Sequence, residues 1–288
     1  YAAQSGHLGG SLSEIDILTA LFHGEMNYSG KNMDDPNRDR FVLSKGHTAP
    51  ALYVNLADVG CFPKERLFDS YRRINGLLQG HPCMKTPGVE IAGGSLGIGL
   101  SVAAGMALGN RYQGYKGRVY CMMGDGEINE GQIWESAATS AGFGLDNLCA
   151  FVDVNGLQND APTKEVKDMG DLAAKWKAFG WNVQEINGHD FNEILDALEK
   201  SGIDVLIIEQ NPDRCLELAA VLPDACIIQG DASDERVLSN EGIEDCDVLV
   251  TLTGLDEINM IVSLYGNSCG VPQIITKLGR VESSRLLE

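Results

Sequence analysis

Two short segments hold oxygen donors at a spacing suited to a divalent cation: "GDGEINEG" at 124–131 and "VDVNGLQND" at 152–160. Asp125 offers an anionic oxygen, the Asn155 side chain a neutral one, and the backbone carbonyl of Leu157 a third. Completed by two diphosphate oxygens and a water, they would form the octahedron that Mg²⁺ prefers, and Ca²⁺ accepts the same kind of donor. Gly124 and Gly126 let the backbone approach phosphates with no Cβ in the way. A lone Gly-Asp-Gly is more often only a tight turn, and Asn-Gly at 155–156 is a common turn pair. Here each segment follows an apolar run, "RVYCMM" or "NLCAFV", and residues 127–154 leave room between Gly126 and Asn155 for one helix and one strand. In a parallel sheet both segments fall at carboxyl ends of strands, where open α/β sheets bind ligands.

Three histidines sit beside glycine in loop-like contexts: His7 in "SGH", His47 in "KGH" and His81 in "GHP". Glycine neighbours favour close ligand approach, and imidazoles there could shuttle protons to and from hydroxyl groups. His23 and His189 lie in no such motif and read as structural.

The elements that must position these groups follow from periodicity. The opening "SGHLGGSLSEIDILTALF" is a glycine-rich loop feeding an amphipathic helix, with Ser11 and Glu14 in a capping-box pattern. "RFVLS" (40–44) predicts a short strand before a helix at 48–58, and Pro63 suits the first turn of a helix through "PKERLFDSYRRI". "GGSLGIGLSVAAGMALGNRY" is a glycine-rich turn followed by a helix of small residues. From residue 118 strands and helices alternate: strand 118–123, helix 129–143, strand 147–154, helix 171–180, strand 181–186 and helix 191–200. The tail continues with strand 204–209, helix 212–221, strand 225–229, helix 233–240, strand 247–252, helix 255–267 and strand 272–277. Near-continuous apolar strands separated by amphipathic helices predict an α/β fold with a mostly parallel, doubly wound sheet.

With 288 residues, 44% hydrophobic and 22% charged, the chain can bury a large core and is expected to be globular. No apolar run is long enough to span a bilayer, and no signal peptide is visible, so membrane insertion is not expected. The first residue, Tyr1, is not Met and stands just ahead of a working motif, as in a fragment or trimmed chain. The net charge of -19 concentrates in residues 201–288, which hold 5 basic and 16 acidic side chains. Such a field repels phosphate backbones and disfavours nucleic acid as a partner. The eight cysteines are scattered, with no CxxC pair and no zinc spacing, which predicts free thiols in a reducing, cytoplasmic setting.

Residues 4 to about 200 resemble transketolase, in the style of the separately encoded N-terminal subunit of a split enzyme. The resemblance is carried, in family order, by "SGHLGGSLSEIDILTALF", "DRFVLSKGHTAPALY", "LLQGHPCMKTPGVEIAGGSLGIGLSVAAGMALG", "GDGEINEGQIWESA" and "NGLQNDAPTKEV". It implies a thiamine-diphosphate-binding fold, with Gly124, Asp125, Gly126 and Asn155 around the diphosphate and Asp125, Asn155 and Leu157 on the metal. It also implies that His7, His47 and His81 surround the cofactor and bound sugar, and that Gly94 and Leu96 hold the aminopyrimidine ring through their backbone. Glu130 matches a family glutamate near the subunit interface, with a structural or proton-coupling role; Glu135 follows it where a helix start favours acids in any case. The implied reaction moves a two-carbon ketol unit from a ketose to an aldose phosphate, the cofactor's C2 carbanion attacking the carbonyl and the cofactor acting as electron sink. Two departures stand out: Ile98 replaces a common Gln in "GSLGIG", and the pyrimidine-binding domain with its activating glutamate is absent. The chain alone is therefore expected to bind diphosphate without turnover, and to need a C-terminal transketolase subunit or a second protomer as partner and a sugar phosphate as substrate.

From about Ile203 the likeness changes. Residues 201–288 resemble the dinucleotide-binding domain of Trk-type potassium-uptake regulators, starting at that domain's second strand. Glu209 would then bind ribose hydroxyls, or be a solvated strand-end acid; Asp231 in "GDAS" would approach adenine, or be a turn or cap residue. The first strand, glycine loop and helix of such a domain are missing, and "WNVQEINGHDFNEILDALEK" fills their topological slot. "NGHD" offers one glycine where three are wanted, and Asp190 at the helix start would repel pyrophosphate, so NAD binding is not expected. The expected organisation is a diphosphate-binding domain at 1–200 continuing into a partial Rossmann-like unit at 201–288, with a sheet that could run through both. Three readings stand side by side: the cofactor-binding half of a transketolase, an NAD-binding regulatory module of a potassium transport system, and an inactive chimera of the two.

Overall fold

The computed structural model describes residues 3–158, 161–199, 206–221, 226–246, 248–271 and 273–278. The expected 200/201 junction and the outer residues of the strands expected at 204–209, 225–229, 247–252 and 272–277 fall outside these. The chain divides into two compact units, 1–22 with 26–191 and 23–25 with 192–288.

In the first unit, α1 (Leu8–Ala20) is followed by β1 (Arg40–Leu43), α2 (Ala49–Asp58), the short α3 (Arg66–Asp69) and α4 (Gly99–Gln113). Then come β2 (Val119–Gly124), α5 (Gly131–Gly142), β3 (Leu148–Asp153), and the small antiparallel pair β4 (Leu157–Gln158) and β5 (Ala161–Pro162). The short α6 (Thr163–Lys167) and α7 (Leu172–Ala178) complete it. The sheet is parallel in the order β1-β2-β3, with Leu43 opposite Met122 and Gly124 opposite Asp153. Every residue of β2 is buried, as its unbroken apolar run requires of a central parallel strand. Val42, Cys121, Met123, Ala103, Ala107, Ile133 and Trp176 form one core behind it. The left-handed Gly114 ends α4, the backbone state in which glycine is least strained.

Three expectations are corrected. The helix starts at Leu8 behind His7, so Ser11 and Glu14 lie inside it rather than capping it. Ser11 Oγ donates instead to the His7 carbonyl at 3.2 Å, and Glu14 is fully buried against Lys45; pairing with a buried cation outcompetes a surface cap. The helix expected from Pro63 keeps one turn, because Arg72 and Asn75 adopt left-handed conformations that no helix can continue through. Residues 181–186 form no strand: the segment is pinned by side chains instead. Trp181 Nε1 donates to the Ala137 carbonyl at 3.0 Å, its ring meets Trp176 edge-on at 5.1 Å, and Val183 packs on the same core. The regular alternation expected to carry one sheet across the chain is broken there.

The second unit contains α8 (Phe191–Glu199, assigned from Asn192 onward), β6 (Leu206–Glu209), α9 (Pro212–Val221), β7 (Cys226–Gln229), α10 (Glu235–Asn240), β8 (Val248–Thr251), α11 (Asp256–Ser268) and β9 (Gln273–Thr276). Its described ladders are two parallel pairs, β6 with β7 and β8 with β9. All eight cysteines are free thiols. Among the described residues no helix is long and apolar enough to cross a membrane.

The seat of α4 on the first sheet is tight. A Cβ on Gly99 would lie 2.3 Å from Ser44 Oγ and 2.7 Å from Ser44 Cα. Gly99→Ala is therefore expected to cost about 1–3 kcal/mol of stability by overpacking. Urea denaturation checks this; an unchanged midpoint would refute that packing.

Candidate cofactor site at the carboxyl edge of the first sheet

The parallel register brings the exits of β1, β2 and β3 to one edge, where the loops at 44–48, 124–130 and 153–158 emerge together. Ser44 N donates to the Met122 carbonyl at 2.9 Å, and Asp125 N to the Asp153 carbonyl at 3.1 Å.

Asp125 is buried, and its carboxylate is locked. Oδ2 accepts from Gly156 N (2.9 Å) and Thr163 Oγ1 (3.0 Å), while Oδ1 accepts from Gly126 N (2.9 Å). The two segments singled out from the sequence are thus joined through this side chain. An oxygen with one donor keeps a lone pair for a further partner, and Oδ1 is such an oxygen. Asn155 and Leu157 are exposed beside it; Asn155 Oδ1 accepts from Leu157 N at 3.0 Å. Leu157 pairs in its ladder with Pro162, which has no N–H to give the Leu157 carbonyl. Among the described residues no group of three or more His, Cys, Asp or Glu gathers as a metal site. The candidate set here is of another kind, with one carboxylate, one amide and one carbonyl.

The glycines divide by cause. A Cβ on Gly126 would lie 2.9 Å from Gln158 Cβ, so packing alone excludes a larger residue. At Gly124 a Cβ would meet only Lys45 Cδ, at an ordinary 3.5 Å, and the backbone is not left-handed. Gly94 has an open surround and a φ of +143°, a conformation that favours glycine, while Leu96 is exposed two residues on.

The three histidines are brought together. His7 and His47 meet edge to face with ring centroids 5.3 Å apart. Tyr53 Oη donates to the carbonyls of Gln79 and His81, holding the "QGHP" loop from α2. A Cβ on Gly46 would sit 3.2 Å from Gly93 Cα, Gly94 N and Pro82 Cδ, so the loops of His47, His81 and Gly94 pack backbone to backbone. Burial pushes the His47 imidazole down to about 4, helped by Lys45, His7 and His81. At neutral pH it is an uncharged ring and a weak base, suited to hydrogen bonding rather than to holding a proton. His189 lies elsewhere, 2.8 Å from Asp16. Glu130 is exposed at the start of α5, and its Cβ lies where a side chain on Gly97 would go.

Sequence reasoning missed the charges beneath this surface. Lys45 is almost wholly buried; its Nζ lies 3.0 Å from Glu14 Oε2 and pairs closely with Asp153, which also accepts from Ser13. Glu127, inside the quoted "GDGEINEG", is buried too and accepts from three separate segments. The signals available were faint: a lysine before Gly-His and an acid two residues before Asn155.

In the second unit, Glu209 and Asp231 stand at or just beyond the carboxyl ends of the paired strands β6 and β7. Their oxygens turn onto their own loops. Glu209 Oε1 accepts from Asn211 N at 2.7 Å; Asp231 accepts from Ser233 N and Oγ and from Gln210 Nε2. The Ser233 bonds hold the exposed Asp231 carboxyl below its ordinary range.

The parallel sheet and the loops gathered at its carboxyl edge define an open α/β class with its candidate site at the strand ends. The family described as "Transketolase, thiamine diphosphate binding domain" matches residues 1–205, and the chain belongs to that family. The TrkA-N domain matches residues 192–288. The chain is 46% identical over 197 residues to the 6-deoxy-6-sulfo-D-fructose transketolase subunit SqwG of Clostridium sp. (strain MSTE9), covering 68% of this chain and 71% of that protein. It is 41% identical over 195 residues to an apulose-4-phosphate transketolase subunit from Phocaeicola vulgatus, covering 68% and 69%. Among solved structures, transketolase from Leishmania mexicana superposes with a TM-score of 0.65 at 23% identity, over 93% of this chain and 42% of that one, a likeness of fold. The chain thus spans less than half the length of that solved transketolase.

One lysine shared by two carboxylates fixes a pH dependence. Burial raises the Glu14 carboxyl from 4.5 to about 7, and Lys45, shared with Asp153, offsets this only in part. The folded state therefore holds a proton that the unfolded chain releases. That contribution is complete below 4.5 and is lost as pH rises through about 7. As pH rises from about 5 to about 8 the parent should lose urea resistance that Glu14→Gln keeps, so the variant's stability rises relative to the parent's whatever the offset between them. A pH-independent difference would place the proton elsewhere.

Proposed function

We propose that the chain is the diphosphate-binding half of a transketolase, acting on sugar phosphates by two-carbon ketol transfer together with a subunit or protomer bearing the pyrimidine-binding domain. The observation that carries this reading is Asp125. Its carboxylate is held by Gly126, Gly156 and Thr163 with an Oδ1 lone pair to spare, next to Asn155 and the Leu157 carbonyl. Those three would hold Mg²⁺, and hard oxygen donors of mixed charge suit it. Gly124 supports the same reading, because neither packing nor backbone conformation demands a glycine there, whereas a close diphosphate would. Bound thiamine diphosphate supplies an electron sink for breaking and making the carbon–carbon bond.

The chain's own residues would do the rest. Gly94 and Leu96 would present backbone groups to the aminopyrimidine ring. Neutral His47 would hydrogen-bond the cofactor or sugar, and the more exposed His7 and His81 would exchange protons with sugar hydroxyls. Glu130, exposed at the start of α5, would face a partner subunit. Subunit naming in the relatives supports a partner of this kind.

Dinucleotide binding by the TrkA-N-like unit is not part of this reading. In the slot of the missing glycine loop, Asn187 already takes the N–H groups that a phosphate would need: His189 N on its side chain at 3.1 Å and Asp190 N on its carbonyl at 2.9 Å. The proposed division remains 1–200 for the cofactor-binding domain and 201–288 for the partial Rossmann-like unit.

Calorimetric titration of the chain with thiamine diphosphate, with and without Mg²⁺ and with NADH as control, tests the proposal. Binding should require Mg²⁺, and Asp125→Ala should weaken it by about tenfold or more, ~1.4 kcal/mol or above. Unchanged affinity in that variant would sink the metal assignment, and tight NADH binding would revive the regulatory reading.

A further inference from the structure

Glu127 touches no part of the surface open to a ligand, being 3% exposed, yet it gathers the segments that form that surface. Its Oε1 accepts from Ser44 Oγ and from Gly97 N at 2.8 Å, and its Oε2 from Gly124 N at 3.2 Å. The donors come from three places far apart in sequence. Ser44 follows β1 and leads into Lys45 and His47. Gly97 closes the turn that contains Gly94 and Leu96. Gly124 opens the Asp125 loop.

Two of these donors are backbone amides that the fold leaves without a ladder partner, and an unpaired buried N–H is costly. The turn at Gly97 has no slack: its φ is +85°, and a Cβ there would lie 2.7 Å from Glu130 Cβ. Only an anion accepts from three donors on two oxygens. A glutamine keeps one acceptor oxygen and turns N–H₂ toward either Gly97 N or Gly124 N, so one amide must lose its partner.

We propose that Glu127 is a positioning residue, whose carboxylate clamps the Gly97 turn, the Ser44–His47 loop and the Gly124–Gly126 loop into one preassembled cofactor cradle. The inference rests on the thiamine diphosphate reading above and deepens it. The chain builds both the ring-side and the diphosphate-side walls of its half-site through this one side chain, before any partner is present.

The test combines calorimetry with amide NMR on the full chain. The probe is thiamine diphosphate with Mg²⁺, and the central variant is Glu127→Gln. The expected result is cooperative melting with the parent's circular dichroism, an upfield shift of the Gly97 or Gly124 amide proton, and affinity lower by on the order of tenfold. Binding should stay Mg²⁺-dependent, since Asp125 is intact; a lost metal ligand would abolish that dependence. Unmoved glycine amides, or moved amides with parental affinity, would overturn the proposal. Should Glu127→Gln fail to fold, Ser44→Ala cuts one arm only. It is expected to weaken binding several-fold without loss of structure, and parental affinity there would also overturn it. Failure of the unsubstituted chain to bind would overturn the cofactor reading itself and this inference with it.

Discussion

The buried ammonium of Lys45 is the constraint on which the site depends. It follows directly from β1, lies under the glycine loops, and is met by Glu14 from α1 and Asp153 from the end of β3. A cation removed from water in this way is tolerable only with close anionic partners, and removing one partner of a buried pair typically costs about 3–5 kcal/mol. The helix carrying the first glycine-rich loop is thereby tied to the same sheet edge as the two oxygen-bearing segments. That tie explains why α1 begins at Leu8, why Glu14 is inside, and why His7 reaches His47.

Above that charge layer the walls are set by backbone geometry. Parallel strands in register deliver three loops to one edge, and glycines at 46, 93 and 99 let the 44–48 loop and the turn before α4 approach until their main chains nearly touch. Side chains then finish what the backbone begins: Asp125 closes the β2 loop on the β3 loop, and Glu127 closes it on the turn before α4. Preorganisation of this sort places polar groups in position before any ligand arrives.

The two ends of the chain match two different families. The transketolase match ends at 205 and the TrkA-N match begins at 192, so the two overlap over 192–205, which holds all but the first residue of the helix Phe191–Glu199. The second unit pairs its strands in parallel and sets Glu209 and Asp231 at or beside their ends, as a nucleotide-binding unit does.

Much of this was legible in the residues themselves. Unbroken apolar runs marked the strands, Gly-Asp-Gly and Asn-Gly after two of them marked the carboxyl edge of the sheet, and glycine-flanked histidines marked the loops around it. Local chemistry suffices for these because a strand's burial and a loop's need for glycine are written within a few residues. The capping pattern of Ser11 and Glu14 and the apolar alternation of 181–186 misled, since each has a stronger partner distant in sequence: Lys45 for Glu14, and the Trp176 cluster for Trp181. Lys45, Asp153 and Glu127 gave almost no signal. A charged residue reads as solvated until its partners are known, and apart from Gly124 beside Glu127 those partners lie 30 to 140 positions away. Sequence thus determined the class of fold and the donors at its edge. Only tertiary structure decided which acids are buried, because burial of a charge depends on counter-charges that no local pattern contains.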